Sequence, residues 1–346
     1  MDICHSSIHH RRFRVIIMMI VSAFFLSRYC NNSPENTNEP IDIVYIWVNG
    51  SDSKWRTEKE YYQNISATDS WFAVGEERFV EHDELKYSMR SVAQHIPWIR
   101  SIFIVTNGQI PSWLDENNQK VKIIKHSDIM PDSALPTFNS YAIEANLHNI
   151  PGLSNLFLFS NDDFYILEDL NRSYFFDRKG NPIIRTEHDS YHTRSIETSP
   201  FVRNVIYSAQ VFEKLFHKHI LFEPAHVTLP YRKDCYTDCA KAFSAEFNQT
   251  THARFRSEPN IHRSIVAFFE IYKHKGIRIP EDSSASDILY LLIRSPEKLK
   301  KQISSRRPKL LCINDTPLVR DIDRENLPEF LELMFPQRAS WEKQDF

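Results

Sequence analysis

The chain reads as an α/β protein built on a mostly parallel sheet. Three observations carry this reading: β-branched and aromatic runs of strand length, apolar stripes at helical spacing, and their alternation through residues 41–160. Strands that alternate with helices run parallel and connect by right-handed crossovers.

Ile41 to Val48 forms the first strand, closed by the tight-turn pair Asn49-Gly50. From Asp83 to Ile96, Leu85, Met89, Val92 and Ile96 recur at helical spacing and predict a helix packed on the sheet, which Pro97 stops. Ser101 to Thr106 and Val121 to Lys125 follow as strands, Tyr141 to Ile150 as a helix, and Asn155 to Phe159 as the strongest strand. Residues 164–225 carry no decisive period. Ile261, Ile265, Phe268, Phe269 and Tyr272 mark another helix, Leu310 to Ile313 a short strand, and about Arg324 to Met334 an amphipathic helix. These later segments are a helical elaboration of the sheet. There is no internal repeat and no linker after residue 40, so residues 41–346 read as one domain.

At 346 residues, with 42% hydrophobic and 25% charged content, the chain can bury an ordinary globular core. A net charge of −3 gives no basic excess, which excludes nucleic acid as the expected partner. Only 6 glycines occur and no G-x-G-x-x-G or Walker pattern, so any phosphate must be held by a metal, basic side chains or bare amides.

The N-terminus is a separate object. Arg11, Arg12 and Arg14 precede an apolar run from Val15 to Leu26, and the chain turns polar at Ser27-Arg28. The expectation is a cytosolic tail (1–14), a signal-anchor membrane helix (15–29) and a polar stem (30–40). The span through Tyr29 would reach about 22 Å, short of a bilayer core of roughly 27 Å, with Arg14 and Arg28 snorkelling. A cleaved signal peptide is the alternative, although no clear A-x-A site follows. Either way the remainder is expected in the secretory lumen, as a single-pass type II protein of the Golgi membrane. Cys235 and Cys239 would close a small disulfide loop there, Cys30 could join two chains as a homodimer, and Cys312 reads as a buried apolar residue. Of the sequons at Asn31, Asn49, Asn64, Asn171, Asn248 and Asn314, Asn49 and Asn314 are expected to stay bare because they lie among chemically informative residues.

Ser160-Asn161-Asp162-Asp163 sets two adjacent carboxylates at the C-terminal end of the strongest strand. Open α/β sheets bind ligands at that end, and a divalent cation holding a diphosphate needs hard oxygen ligands. An Asn-Asp turn also arises for backbone reasons alone. Its neighbours decide between the two. IDIVYIWVNGSD (41–52), RFVEHDELKYSMRSVAQHIPWIRSIFIVTNGQIPSWLD (78–115) continuing through LPTFNSYAIEANLHNIPGLSNLFLFSNDDFYI to residue 166, PAHVTLPYRK (224–233) and LLCINDTPL (310–318) form four blocks. Together they resemble the Stealth family of sugar-phosphate transferases, over most of the chain after residue 40.

The resemblance implies a Rossmann-like, nucleotide-sugar transferase type of fold. It implies transfer of a sugar 1-phosphate from a nucleotide sugar to a hydroxyl of a glycan or glycoprotein, forming a phosphodiester and releasing a nucleoside monophosphate. The alternatives are a metal-dependent glycosyltransferase attacking the anomeric carbon and a non-catalytic lumenal binding protein. Within that frame Asp162 and Asp163, with Asp315 as a third carboxylate, are the expected ligands of Mg2+ or Mn2+. Asp52 and Asn49 are placed to meet the nucleotide, and Asn107 and Gly108 to shape the same rim. Glu144 is a candidate acid/base or acceptor-binding residue, with His148 four residues on along the predicted helix. His226 is the candidate general base. Arg256 is the expected phosphate-neutralising cation, with Arg232 a further candidate in the third block. Thr228 stands where the family more often has proline, and Arg90 reads as a structural residue.

Overall fold

A computed structural model describes residues 39–187, 200–257, 259–281 and 286–344. The expected tail, signal anchor and most of the stem lie outside the described residues. Among the described residues no helix is long and apolar enough to cross a membrane. Glu39–Asp177 and Asn181–Phe346 make up one unit; Arg178–Gly180, grouped apart from it, is a turn with Gly180 at φ 75°.

The strands are β1 (Ile41–Ile46), β2 (Ile102–Thr106), β3 (Val121–Lys125), β4 (Leu156–Asn161), β5 (Phe164–Ile166), β6 (Ile183–Thr186), β7 (Leu229–Arg232), β8 (Ile277–Pro280), β9 (Ile288–Leu292) and β10 (Leu310–Asn314). The central sheet has the order β3-β2-β1-β4-β7, with the first four parallel and β7 antiparallel to β4. Its inner strands are continuous apolar runs because helices cover both faces. Val44, Phe103, Val105, Phe157 and Phe159 pack with the helices Pro200–Phe216 and Ser264–Tyr272 on one face. Ile43, Tyr45, Ile104 and Leu158 meet Leu85, Met89, Val92 and Ile96 of the helix Glu84–His95 on the other. Each fully buried phenylalanine contributes roughly 1.5–3 kcal/mol, so β4 anchors the sheet.

β1 has β2 on one side and β4 on the other. Connections therefore leave β1 in opposite directions, the topological switch point at which open α/β sheets bind ligands, and the Asn49–Asp52 turn and Asp162-Asp163 lie at the carboxyl ends of β1 and β4 there. Beyond that turn the chain enters β5, which joins a second sheet of order β5-β10-β9. Its antiparallel register sets Cys312 opposite Phe164, and the Ile313 amide donates to the Asp163 carbonyl at 3.1 Å. β6 and β8 form a separate parallel pair.

Three local expectations change. The helix predicted over Tyr141–Ile150 is a short helix, Ser140–Glu144, followed by a 3-10 turn, Leu147–Asn149. Asn146 turns its side-chain amide onto the Ala142 carbonyl (2.8 Å) and Thr251 Oγ1 (2.8 Å), a local bond that competes with helix continuation. The C-terminal helix is two, Asp321–Glu325 and Leu327–Met334, because Pro328 in the first turn of the second cannot donate back. The Cys235–Cys239 disulfide is absent. Both thiols lie buried along the helix Lys233–Ala242, with Cys239 Sγ directed at the Ile265 carbonyl (3.7 Å) rather than at Cys235.

Candidate active site

The turn between β4 and β5 carries Asp162 and Asp163. One oxygen of Asp163, Oδ2, accepts from the Cys312 thiol at 3.3 Å; the other, Oδ1, is buried with no partner among the described residues. Burial holds both carboxyls above the ordinary carboxylate range, and the charge of Asp162 pushes Asp163 further. Two more carboxyls crowd the turn. Glu81 is pushed up to about 7 by burial and then by Asp83 and Asp162, and its Oε1 is buried and unpartnered among the described residues. Glu84, at 7% exposure, is raised by burial and then by Asp162. Carboxyls that cannot all ionise together, with orphaned oxygens, fit a divalent cation bound through oxygen.

His226 stands beside Asp163. Its ring makes edge contacts with Phe164 (4.9 Å), Tyr290 (5.8 Å) and Phe201 (6.3 Å). Burial, then Arg263 and Arg256, push it down to about 3, so the imidazole is neutral. Ligand atoms of Asp163, His226 and Cys312 all lie within 4.8 Å of one another. The Thr228 hydroxyl pairs with Ser160 Oγ at 2.9 Å and ties this loop to the end of β4.

A belt of cations follows. Glu144 closes its short helix and forms a buried ion pair with Arg263 (3.0 Å), whose guanidinium covers the Phe159 ring at 4.9 Å. Arg256 donates to Ser140 Oγ (2.7 Å) and lies over Tyr141 (4.9 Å) and Phe72 (5.5 Å), with its Nε buried and unpartnered among the described residues. Arg78 shares the Phe72 ring at 5.9 Å and donates to the Phe72 carbonyl. Neither Arg78 nor Arg256 has a carboxylate partner among the described residues, and Arg78 is held below its ordinary value by burial and then by Arg256. His262 Nδ1 accepts from the Ser264 amide at 3.1 Å, which fixes the proton on Nε2. That N–H is buried without a partner among the described residues, between Tyr141 (5.6 Å) and Phe201 (5.0 Å).

Residues 39–67 match the model of Stealth protein CR1, conserved region 1, and residues 78–184 that of Stealth protein CR2, conserved region 2. The chain is 33% identical over 312 residues to the capsular polysaccharide phosphotransferase fcs1 of Haemophilus influenzae, covering 87% of this chain and 85% of that protein. The chain belongs to the Stealth family. It is also 34% identical over 324 residues to the capsular polysaccharide phosphotransferase SacB of Neisseria meningitidis serogroup A, spanning 58% of that protein's length. A solved galactosyltransferase, LgtC in complex with donor and acceptor sugar analogs, is 11% identical with a TM-score of 0.43, covering 86% of this chain and 98% of that one. A likeness that distant adds nothing to the Stealth assignment.

This Stealth chain brings Asp162, Asp163 and His226 together, with Glu144 and Arg256 linked to them through Arg263 and Tyr141. Other residues singled out in the sequence lie elsewhere or have other partners. Asp315 pairs with Arg324 (2.8 Å) and accepts from the Thr316 amide (2.7 Å), on the side facing His82. Asp52 caps the helix Ser53–Ser66 through Trp55 N (2.8 Å). Asn49 is clamped by Gln109, whose side-chain amide exchanges two hydrogen bonds with its backbone (2.9 and 3.0 Å). Asn107 and Gly108 form the exposed turn after β2, with Gly108 at φ 108°. His148 stacks on Tyr236 (5.6 Å), whose hydroxyl donates to the Glu144 carbonyl (2.6 Å), and burial and Lys233 push its imidazole down to about 4. Arg232 lies opposite Leu156 at the far end of β4, in a two-pronged pair with Asp234. Arg90 is structural, buried against Glu342 and Glu332.

Arg78, Glu81, Glu84, His262, Arg263 and Cys312 join the site without having been assigned to it from sequence. Glu84 opens the Leu85 helix and reads locally as an ordinary first-turn acid, and Glu81 lies three residues before it. Cys312 lies three residues before Asp315, which drew the assignment instead. Only the β5–β10 register reveals that its thiol meets Asp163.

Proposed function

We propose that the chain transfers a sugar 1-phosphate from a nucleotide sugar to a hydroxyl acceptor, forming a phosphodiester and releasing a nucleoside monophosphate. One observation carries the reading: the orphaned Asp163 oxygen beside Asp162 lies next to a neutral His226 and near two arginines without carboxylate partners. The fcs1 and SacB relatives are named capsular polysaccharide phosphotransferases, which is in keeping with this reading.

Asp162 and Asp163 would hold Mg2+ or Mn2+, with Glu81 and Glu84 as further carboxyls that feel the charge of Asp162. When bound, the ion supplies charge neutralisation to a diphosphate. Arg256 and Arg78 offer forked donors to the phosphate oxygens, and the fixed Nε2–H of His262 offers one more. The acceptor hydroxyl forms a new O–P bond at the sugar-bearing phosphorus while the P–O bond to the nucleoside monophosphate breaks. His226 takes the hydroxyl proton. Its depressed basicity fits only a loaded site, because an anionic diphosphate offsets the Arg263 and Arg256 charges that help hold it down. Glu144 positions Arg263 rather than meeting substrate.

The test is product analysis with a nucleotide sugar radiolabelled in the phosphorus attached to the sugar. Label appearing in the acceptor, with unlabelled nucleoside monophosphate, supports the reading. Labelled nucleoside diphosphate with an unlabelled acceptor means attack at the anomeric carbon instead.

A further inference from the structure

Three ligand atoms of different chemical kind converge at the acidic turn: a carboxylate oxygen of Asp163, an imidazole nitrogen of His226 and the thiol of Cys312, all within 4.8 Å of one another. Among the described residues no other such trio of His, Cys and acidic ligands exists. Each comes from a different element. Asp163 belongs to the β4–β5 turn, His226 to the loop before β7, and Cys312 to β10, where its pairing with Phe164 fixes the sulfur 3.3 Å from Asp163 Oδ2.

A hard ion has no use for sulfur, since magnesium and manganese select oxygen. Zinc and cadmium favour the mixed set found here, with zinc bonds of about 2.0–2.3 Å to oxygen, nitrogen and sulfur. Ligand atoms around such an ion stand roughly 3.3–3.8 Å apart, so a modest contraction of the trio would complete three sides of a tetrahedron. Cys312 is fully buried, so its sulfur is reached from the side that Asp163 and His226 share.

We propose that Asp163, His226 and Cys312 form a soft-metal site that binds zinc or cadmium and thereby blocks the turn to the hard ion. Binding exchanges the thiol proton of Cys312 for a metal–sulfur bond and releases that proton to solvent. The blocking half of the proposal rests on the transfer reading above, because it requires Asp163 to serve both ions. The binding half does not.

The test titrates cadmium into the full, reduced chain without donor or acceptor and follows the ultraviolet thiolate-to-cadmium absorption. One equivalent is expected to develop the band in the wild type and in a Cys235→Ser, Cys239→Ser double variant. Cys312→Ser is expected to lose it, and His226→Asn to weaken cadmium binding by about tenfold or more. Cys312→Ala is the fallback should a buried hydroxyl prevent folding. A band that survives both Cys312 substitutions, or that disappears with Cys235 and Cys239, overturns the proposal. A Cys312-dependent band in a chain with no manganese-supported donor cleavage keeps the soft site and removes the transfer reading. Cleavage without the band does the reverse.

Discussion

Asp163 is the centre of the proposed site because its two oxygens are unequally treated, one engaged by a thiol and one left bare in a buried turn. Asp163→Asn is therefore expected to lower metal-supported donor turnover by about 100-fold or more, and to shrink the rise in melting temperature that manganese produces. The pH dependence of that rise has a definite sign. Both carboxyls of the pair are held above the ordinary range, so in the metal-free protein protons occupy them toward acidic pH and the ion must displace them. Thermal shifts measured with and without manganese should diverge as pH increases from about 5.5 to 8; a shift constant across that window places the ion elsewhere. His226→Asn should lower transfer by about 100- to 10,000-fold with folding intact, the size of a lost proton acceptor. Asp162 and Asp163 could be picked out from sequence because they end a strongly apolar strand. Cys312 could not, since a cysteine among Leu, Leu and Ile looks like core until its strand is paired with β5.

Elements inherit their roles from how their ends are finished. The helix Ser140–Glu144 stops where Asn146 folds back on Ala142, and that early stop aims Glu144 at Arg263 while His148 departs toward Tyr236. The sequence period through this segment is helical, and a single amide-to-carbonyl bond divides it into a short helix and a 3-10 turn. Glu144 and Arg263 are each buried, so Glu144→Gln leaves a buried guanidinium uncompensated and should cost about 3–5 kcal/mol in chemical denaturation. Loss of activity with unchanged stability would instead return Glu144 to a direct role in the reaction. At the end of β3, the helix His126–Ile129 begins with a buried imidazole that burial pushes down to about 4. Its folded-state value lies below the unfolded one, so keeping it neutral adds stability above about pH 6.5, and that stability is lost as pH falls toward 4. The stability difference between wild type and His126→Gln should accordingly narrow over this range; the comparison cancels the opposite trend of Glu81 and Glu84, common to both proteins.

Across the whole molecule, the central sheet was legible because β1, β2 and β4 are covered on both faces and so write their burial as apolar runs, interrupted in β1 by the buried Asp42. β7 was not. Leu229–Arg232 is short, contains Pro230 at a sheet edge, and runs antiparallel, so it lacks the long apolar run that announces the parallel strands. Its direction also removes Arg232 from the acidic turn, a consequence of register that block position in the sequence does not convey. Of the second sheet only β10 was legible, as the short run Leu310 to Ile313, and its pairing with β5 is what carries it to the β4–β5 turn. The resulting architecture gathers carboxyls, cations and a neutral imidazole at the carboxyl ends of β1 and β4, from segments more than two hundred residues apart in the case of Glu81 and Cys312. A crystal grown with manganese and a non-transferable nucleotide sugar tests this arrangement most directly, by locating the manganese through its anomalous scattering. The account predicts one ion between the Asp162 and Asp163 carboxylates and the diphosphate, with Arg256 on the phosphate oxygens. A diphosphate seated away from both aspartates, with no manganese joining them, would contradict it.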